Sequence, residues 1–271
     1  MRRQRPRRLL PVIDHVATAA TLDAAERDRA AIRPLTDTLQ GLTVADAYAI
    51  QAAWLRRKLA ANAALALVGR KVGLTARAMQ EQLGVNEPDC GFLLNSMLVP
   101  NAGSIPRAEL ILPRVEPEIA FYLAEDLRGP DLTAADILEA TRAVAPALEI
   151  VDSRIADWKI KLQDTIADNG SSARAVIGAA VSFDRALDLA AVQVTLRRDG
   201  EVVGEGAGAA VLGHPAEAVA WLANALAGFG EGLKANDVVL PGAMCASVFA
   251  NAGEVFEASY TGLGSVSVRF T

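Results

Sequence analysis

The stretch Arg114-Val-Glu-Pro-Glu-Ile-Ala-Phe-Tyr122 constrains the chain most, because two glutamates interrupt an otherwise apolar run at a spacing of two residues. That is the period of a β-strand, so Glu116 and Glu118 share one face with their side chains about 6 to 7 Å apart. Val115, Ile119, Ala120 and Phe121 around them predict a largely buried element. Two like charges in such surroundings are tolerable only with a cation or a proton between them. A third acid, Glu149, lies in a second apolar run, Pro146-Ala-Leu-Glu-Ile-Val151. Three strand-borne carboxylates suit a hard divalent cation with coordination positions left for substrate and water. Spacing alone leaves an alternative standing, with Glu116 and Glu118 on a solvated sheet face and Glu149 paired with an arginine.

The rest of the composition narrows the chemistry. With 52% apolar residues in 271, the chain can build a sizeable core. Its net charge of -5 argues against a nucleic-acid partner, which would require clustered positive charge. Two distant cysteines, Cys90 and Cys245, and two histidines, His15 and His214, are too few for structural zinc or a disulfide framework. Any metal must therefore be held mainly by oxygen, which favours magnesium, manganese or calcium. The basic cluster Arg2, Arg3, Arg5, Arg7 and Arg8 is followed by no continuous apolar segment, since Pro11 and Asp14 interrupt it, and it reads as a frayed start. No apolar run approaches the roughly 18 residues that cross a membrane, so the expectation is a soluble, cytoplasmic protein.

Residues 1–62 read as a helical extension, with Thr43 and Asp46 forming a capping-box variant ahead of a helix over 47–58. Residues 63–271 read as a β-rich body in one continuous unit. Strands are expected over 63–73, 110–112, 115–123, 147–151 and 175–177, and the segment after 237 is again strand-rich. Asp199-Gly200 marks the turn of a hairpin over 192–205. Helices are expected over 75–83, closed by Gly84, from Thr133 and Asp136 to about 144, and from Pro215 to about 229. Irregular strand spacing argues against a doubly wound sheet, and the predicted class is α+β, a helical N-terminal part packed on a mixed β-rich body.

Four further features have weaker local chemistry. Lys71, between an apolar strand and a glycine turn, can present its ammonium to an anionic substrate. The segment Gly204-Glu-Gly-Ala-Gly-Ala209 has the loose form of a dinucleotide fingerprint, but no strand-turn-helix unit surrounds it, so that reading is rejected. Residues 164–172 are consistent with either an Asx-type turn or a substrate loop. His214 reads as a helix cap or packing residue.

Taken in order, several segments resemble the 2-keto-4-pentenoate hydratase family, also called 2-hydroxypenta-2,4-dienoate hydratases, within the fumarylacetoacetate hydrolase superfamily. They are Arg70-Lys-Val-Gly-Leu-Thr75, Gly84-Val-Asn-Glu-Pro-Asp89, Pro113-Arg-Val-Glu-Pro-Glu-Ile119, Pro146-Ala-Leu-Glu-Ile-Val-Asp-Ser-Arg154 and Asp157-Trp-Lys-Ile160. Asp164-Thr-Ile-Ala-Asp-Asn169, Leu212-Gly-His-Pro215 and Gly262-Leu-Gly-Ser-Val266 complete the set, and the resemblance covers most of the chain over about 34–270. The resemblance implies Mg²⁺ or Mn²⁺ held at Glu116, Glu118 and Glu149, an active-site lysine at Lys71, an acid at Asp89 and a substrate-side serine at Ser171. It implies a homo-oligomer that hydrates a small 2-hydroxy-dienoic acid to a 4-hydroxy-2-oxo acid, in meta-cleavage degradation of aromatic compounds.

A sister activity of the same fold, 4-oxalocrotonate decarboxylase, shares the metal carboxylates. Asp89 and the 157–165 segments look like the hydratase branch, while Ser171-Ser-Ala-Arg174 and residues 206–215 look as much like the decarboxylase. Pro241-Gly-Ala-Met-Cys-Ala-Ser247 departs from the commonest hydratase loop. A non-catalytic partner subunit and an acylpyruvate hydrolase are the remaining readings.

Overall fold

The structure, a computed structural model, describes residues 12–76, 80–81, 85 and 87–271. The N-terminal arginine cluster and most of the expected helix over 75–83, with Gly84, lie outside the described residues.

Two sheets form the body. The larger runs in the order β2 (Asp89–Leu94), β1 (Leu67–Gly73), β11 (Val238–Leu240), β5 (Arg114–Leu123), β6 (Thr141–Val151), β7 (Ser172–Ile177) and β3 (Leu98–Pro100). Beside this path, β12 (Val248–Phe249) pairs with β5 and β8 (Val181–Ser182) with β6. The smaller sheet runs β10 (Glu201–Ala207), β9 (Gln193–Arg198), β13 (Val255–Tyr260), β14 (Gly264–Phe270) and β4 (Gly103–Ile105).

The period-two pattern read in the sequence divides the two faces of β5. Val115, Ile119 and Phe121 join Leu148 and Ile150 in the principal apolar core, which also takes in Phe256, Val268 and Phe270 of the smaller sheet and Val219 and Leu222 of helix Pro215–Ala227. The even-numbered residues face the other way. There, Ala120, Ala145, Ala147 and Ala175 lie in a separate buried cluster. Small side chains on that face leave room for longer polar ones from the same strands.

The N-terminal helices His15–Asp28 and Val44–Ala61 close over a further apolar cluster, in which Leu22, Ile50 and Trp54 meet Ile155, Leu162 and Ile166. Thr43 and Asp46 form the expected reciprocal cap. At helix Pro215–Ala227, Pro215 occupies the first turn and His214 Nδ1 accepts from the Ala216 N–H at 3.0 Å, so His214 is the cap its position suggested. The hairpin of β9 and β10 turns at Asp199-Gly200 as read.

Several boundaries differ from the sequence expectations. Residues 110–112 form no strand, because the Ile111 and Leu112 N–H groups donate to the Asp152 carboxylate at 2.7 and 2.6 Å instead of a neighbouring strand. The helix begun at Thr133 ends at Ala140, short of 144, since β6 starts at Thr141 and pairs with β5 along its length. Strand β1 begins at Leu67 rather than 63. The polar segment over 164–172 is buried: helix Leu162–Ala167 leads into a single tight turn at Asn169–Ser171.

Candidate metal centre

Strand register brings the three glutamates together. In the antiparallel ladder of β5 and β6, Glu116 lies directly opposite Glu149, and Glu118 follows two residues along on the same face. One carboxylate oxygen from each lies within 4.8 Å of those of the other two. Glu118 and Glu149 have no exposed surface, whereas Glu116 is partly exposed. The solvated-face alternative therefore fails for Glu118, and the cation beside Glu149 is Lys71 rather than an arginine, with Nζ 3.3 Å from Oε2.

The oxygen inventory tests whether these residues fit a metal. Glu118 Oε2 accepts from the Gly242 N–H at 2.7 Å, but Glu118 Oε1 and both Glu149 oxygens are buried with no hydrogen-bond partner among the described residues. Buried carboxylate oxygens carry a large desolvation penalty when unpaired, and a divalent cation at their centre would satisfy several at once. An all-oxygen, all-anionic donor set suits a hard ion. The fit is good.

Electrostatics point the same way. Burial, followed by the neighbouring charge of Glu149, pushes Glu116 up to about 7 and holds Glu118 well above the usual carboxylate range. Burial pulls Lys71 down, but the surrounding carboxylates, Glu149 first, outweigh it and keep the ammonium charged.

This gives a signed expectation for pH. In the metal-free protein Glu116 is a raised carboxylate, so ionising it costs the folded state more than the unfolded chain, and stability is lost as pH rises from the ordinary carboxylate range through about 7. A bound cation favours the ionised form and removes that cost. The rise in Tm on saturating with Mn²⁺ is therefore expected to be larger at pH 8 than at pH 5.5. Scanning calorimetry at both pH values checks this, and an equal or smaller rise at pH 8 would contradict it.

The remaining candidates flank the triad. Lys71 sits on β1, and its Nζ also donates to the Gly170 carbonyl at 2.9 Å. Three successive residues, Asn169, Gly170 and Ser171, have positive φ, a conformation that glycine eases, and a side chain at Gly170 would press on the end of Lys71, so glycine there permits the close approach. Asp89, on β2 opposite Gly73, is buried. The Thr165 hydroxyl donates to Asp89 Oδ2 at 3.0 Å, while Oδ1 finds no hydrogen-bond partner among the described residues, and burial raises the acid above its ordinary value.

Ser171 stands apart from the carboxylates in its bonding. Its hydroxyl donates to Asp168 Oδ2 at 3.2 Å, within a buried network in which Asp168 pairs with Arg154. Sequence reading did not separate that ion pair from the motifs containing it, because both members lie among other polar residues, Asp152-Ser153 before Arg154 and Asn169 after Asp168. It also passed over the Gly242 N–H and Tyr260, whose hydroxyl donates to the Ala147 carbonyl at 2.7 Å and fixes β6 beside Glu149. A backbone donor leaves no mark in composition, and Tyr260 is distant in sequence.

Comparison with known proteins adds to this geometry. Residues 60–271 match the family described as fumarylacetoacetate (FAA) hydrolase C-terminal. The chain is 47% identical over 249 residues to 2-hydroxyhexa-2,4-dienoate hydratase of Comamonas testosteroni, covering 91% of this chain and 94% of the relative. It is 45% identical over 252 residues to 2-keto-4-pentenoate hydratase of Paraburkholderia xenovorans, covering 93% of each. Among solved structures, 4-oxalocrotonate decarboxylase from Pseudomonas putida G7, complexed with magnesium and adipate, superposes with a TM-score of 0.91 at 38% identity, covering 95% of this chain and 97% of that one.

Proposed function

The chain belongs to the 2-keto-4-pentenoate hydratase family within the fumarylacetoacetate hydrolase superfamily, and from that premise we propose that it is a metal-dependent hydro-lyase adding water to 2-hydroxypenta-2,4-dienoate or a close homologue. The observation that carries this reading is the triad of Glu116, Glu118 and Glu149, two of them fully buried with oxygens that find no hydrogen-bond partner among the described residues, in a chain 45–47% identical to hydratases over most of its length. The cofactor is Mg²⁺ or Mn²⁺, which when bound supplies a Lewis acid for the oxygens of a 2-oxo acid.

The chain's own residues account for the proton traffic. Ketonising the dienol moves its hydroxyl proton out and places a proton on carbon 5, leaving a double bond between carbons 3 and 4 conjugated to the 2-oxo group. Water then adds, with hydroxide going to carbon 4 and a proton to carbon 3, to give the 4-hydroxy-2-oxo acid. Asp89, buried and held toward its neutral form, is suited to deliver and recover a proton through its unpartnered Oδ1. Lys71 keeps its charge and can stabilise negative charge that develops on the substrate. Ser171 is assigned to the substrate side, which requires its hydroxyl to exchange Asp168 for substrate.

The division into a helical extension over 1–62 and a catalytic body over 63–271 is part of the proposal, as is assembly into a homo-oligomer. No helix among the described residues is long and apolar enough to cross a membrane.

The similarity to 4-oxalocrotonate decarboxylase favours one rival activity, and a direct comparison separates them. With added Mg²⁺, the purified protein should convert 2-hydroxypenta-2,4-dienoate to the 4-hydroxy-2-oxo acid, identified by NMR. Carbon dioxide release from 2-oxohex-3-enedioate should be much slower. Decarboxylation outpacing hydration would make the rival correct.

A further inference from the structure

Arg114 lies on the same face of β5 as the glutamates, two residues before Glu116, and is held there by two aromatic rings. Its cross-strand partner on β12 is Phe249, and the guanidinium carbon sits 4.1 Å from that ring's centroid. Trp158 covers it from a second side at 4.7 Å and is itself anchored by its indole N–H donating to the Leu112 carbonyl at 3.0 Å. An arginine stacked on rings keeps the edge of its guanidinium available for hydrogen bonds. Here that edge is little used: Nη1 reaches Ser247 Oγ at 3.4 Å, and the buried Nε has no hydrogen-bond partner among the described residues. Among the described residues, no ion pair to Arg114 is found.

Register fixes where this guanidinium stands relative to Lys71 and Asp89. Lys71 is level with Leu240 on β11, and the pairing of Val239 with Phe121 puts Leu240 level with Ala120 on β5. The backbone of Lys71 therefore lies beyond Glu118, and Arg114 lies at the opposite end of the row. Asp89 is on the Lys71 side, on β2 opposite Gly73. On the hydratase reading, carbons 3 to 5 of the substrate must lie near Asp89, which handles the protons. The carboxylate at carbon 1 then points the other way.

Charge leads to the same end. Three glutamates are balanced by Lys71 and a divalent cation, so a substrate carboxylate arrives without a counter-charge. The cations acting on Glu116 are Lys71 and Arg114, and Lys71 is already engaged with Glu149. We propose that Arg114, clamped between Trp158 and Phe249, binds the carboxylate of the 2-oxo acid and so orients its reacting carbons toward Lys71 and Asp89. The proposal rests on the hydratase reading for the direction of the substrate, but not for the binding of a carboxylate.

Calorimetric titration of the Mn²⁺-loaded protein with oxalate, which carries only the head of such a substrate, tests it. Arg114→Met should weaken oxalate by about 10- to 100-fold, the range of a lost charge-assisted hydrogen bond, while Mn²⁺ affinity stays within about two-fold of the parent. Arg114→Lys, which keeps the charge but not the planar fork, should recover part of the loss and guards against a folding defect in the first variant. Oxalate affinity unchanged in both variants would overturn the proposal. So would a loss seen only with 2-oxoadipate, because Arg114 would then be reading the far end of the ligand. Oxalate binding that depends on Arg114 in a protein unable to hydrate dienoates would uphold the carboxylate site and sink the hydratase reading, whereas hydration with Arg114-independent oxalate binding would do the reverse.

Discussion

Replacing Glu149 with glutamine is expected to weaken Mn²⁺ binding by about 10²-fold or more and to reduce hydration at sub-saturating metal to the same degree. Losing even an outer-shell partner of a metal ligand typically costs 10- to 100-fold, and Glu149 is one of only three carboxylates in the cluster. Amide for carboxylate preserves shape, so the change isolates charge. It also removes the first of the counter-charges acting on Lys71, 3.3 Å away, which leaves the buried ammonium less well compensated beside the site. Calorimetry with Mn²⁺ measures the effect, and circular dichroism confirms the fold. An affinity within about three-fold of the parent would remove Glu149 from the ligand set.

Lys71→Ala should behave in the opposite way toward the metal. The ammonium repels a second cation across the Glu149 carboxylate, so its removal should leave Mn²⁺ affinity unchanged or somewhat tighter. Turnover should suffer instead. Removing one preorganised donor aimed at developing negative charge typically costs about 10²–10³ in kcat. Kinetics at saturating Mn²⁺ separate the two effects. A folded variant with near-normal kcat would return Lys71 to a structural role, neutralising Glu149 and pinning the Gly170 turn.

The division between what could and could not be read from the sequence follows the range of the interactions. Period-two alternation in β5 announced both its buried face and its polar one, because the pleat is a local property of the backbone. Local caps were equally legible, with Thr43, Thr133 and His214 each serving helix starts that their own segments encode. Boundaries decided by partners distant in sequence were not. The segment over 110–112 has the apolar composition of a strand, yet Asp152 captures its amides, and the helix after Thr133 stops because β5 draws Thr141 into the sheet.

The same distinction holds at the site. The residue types of the triad were visible as acids in apolar runs, but only the register of β5 against β6 puts Glu116 opposite Glu149. Arg114 belongs to the segment Pro113–Ile119, whose local pattern gives it no role of its own. Its significance comes from Trp158 and Phe249, which are 44 and 135 positions away and meet it only in the folded chain.

The most direct test of the metal-dependent hydratase reading is a titration of chelator-stripped protein with Mn²⁺, following both bound metal and loss of dienoate absorbance in the same samples. Activity should be absent without metal and rise in proportion to occupancy, reaching its plateau at one Mn²⁺ per chain. Hydration at an undiminished rate in the stripped protein, or a plateau unrelated to occupancy, would contradict it.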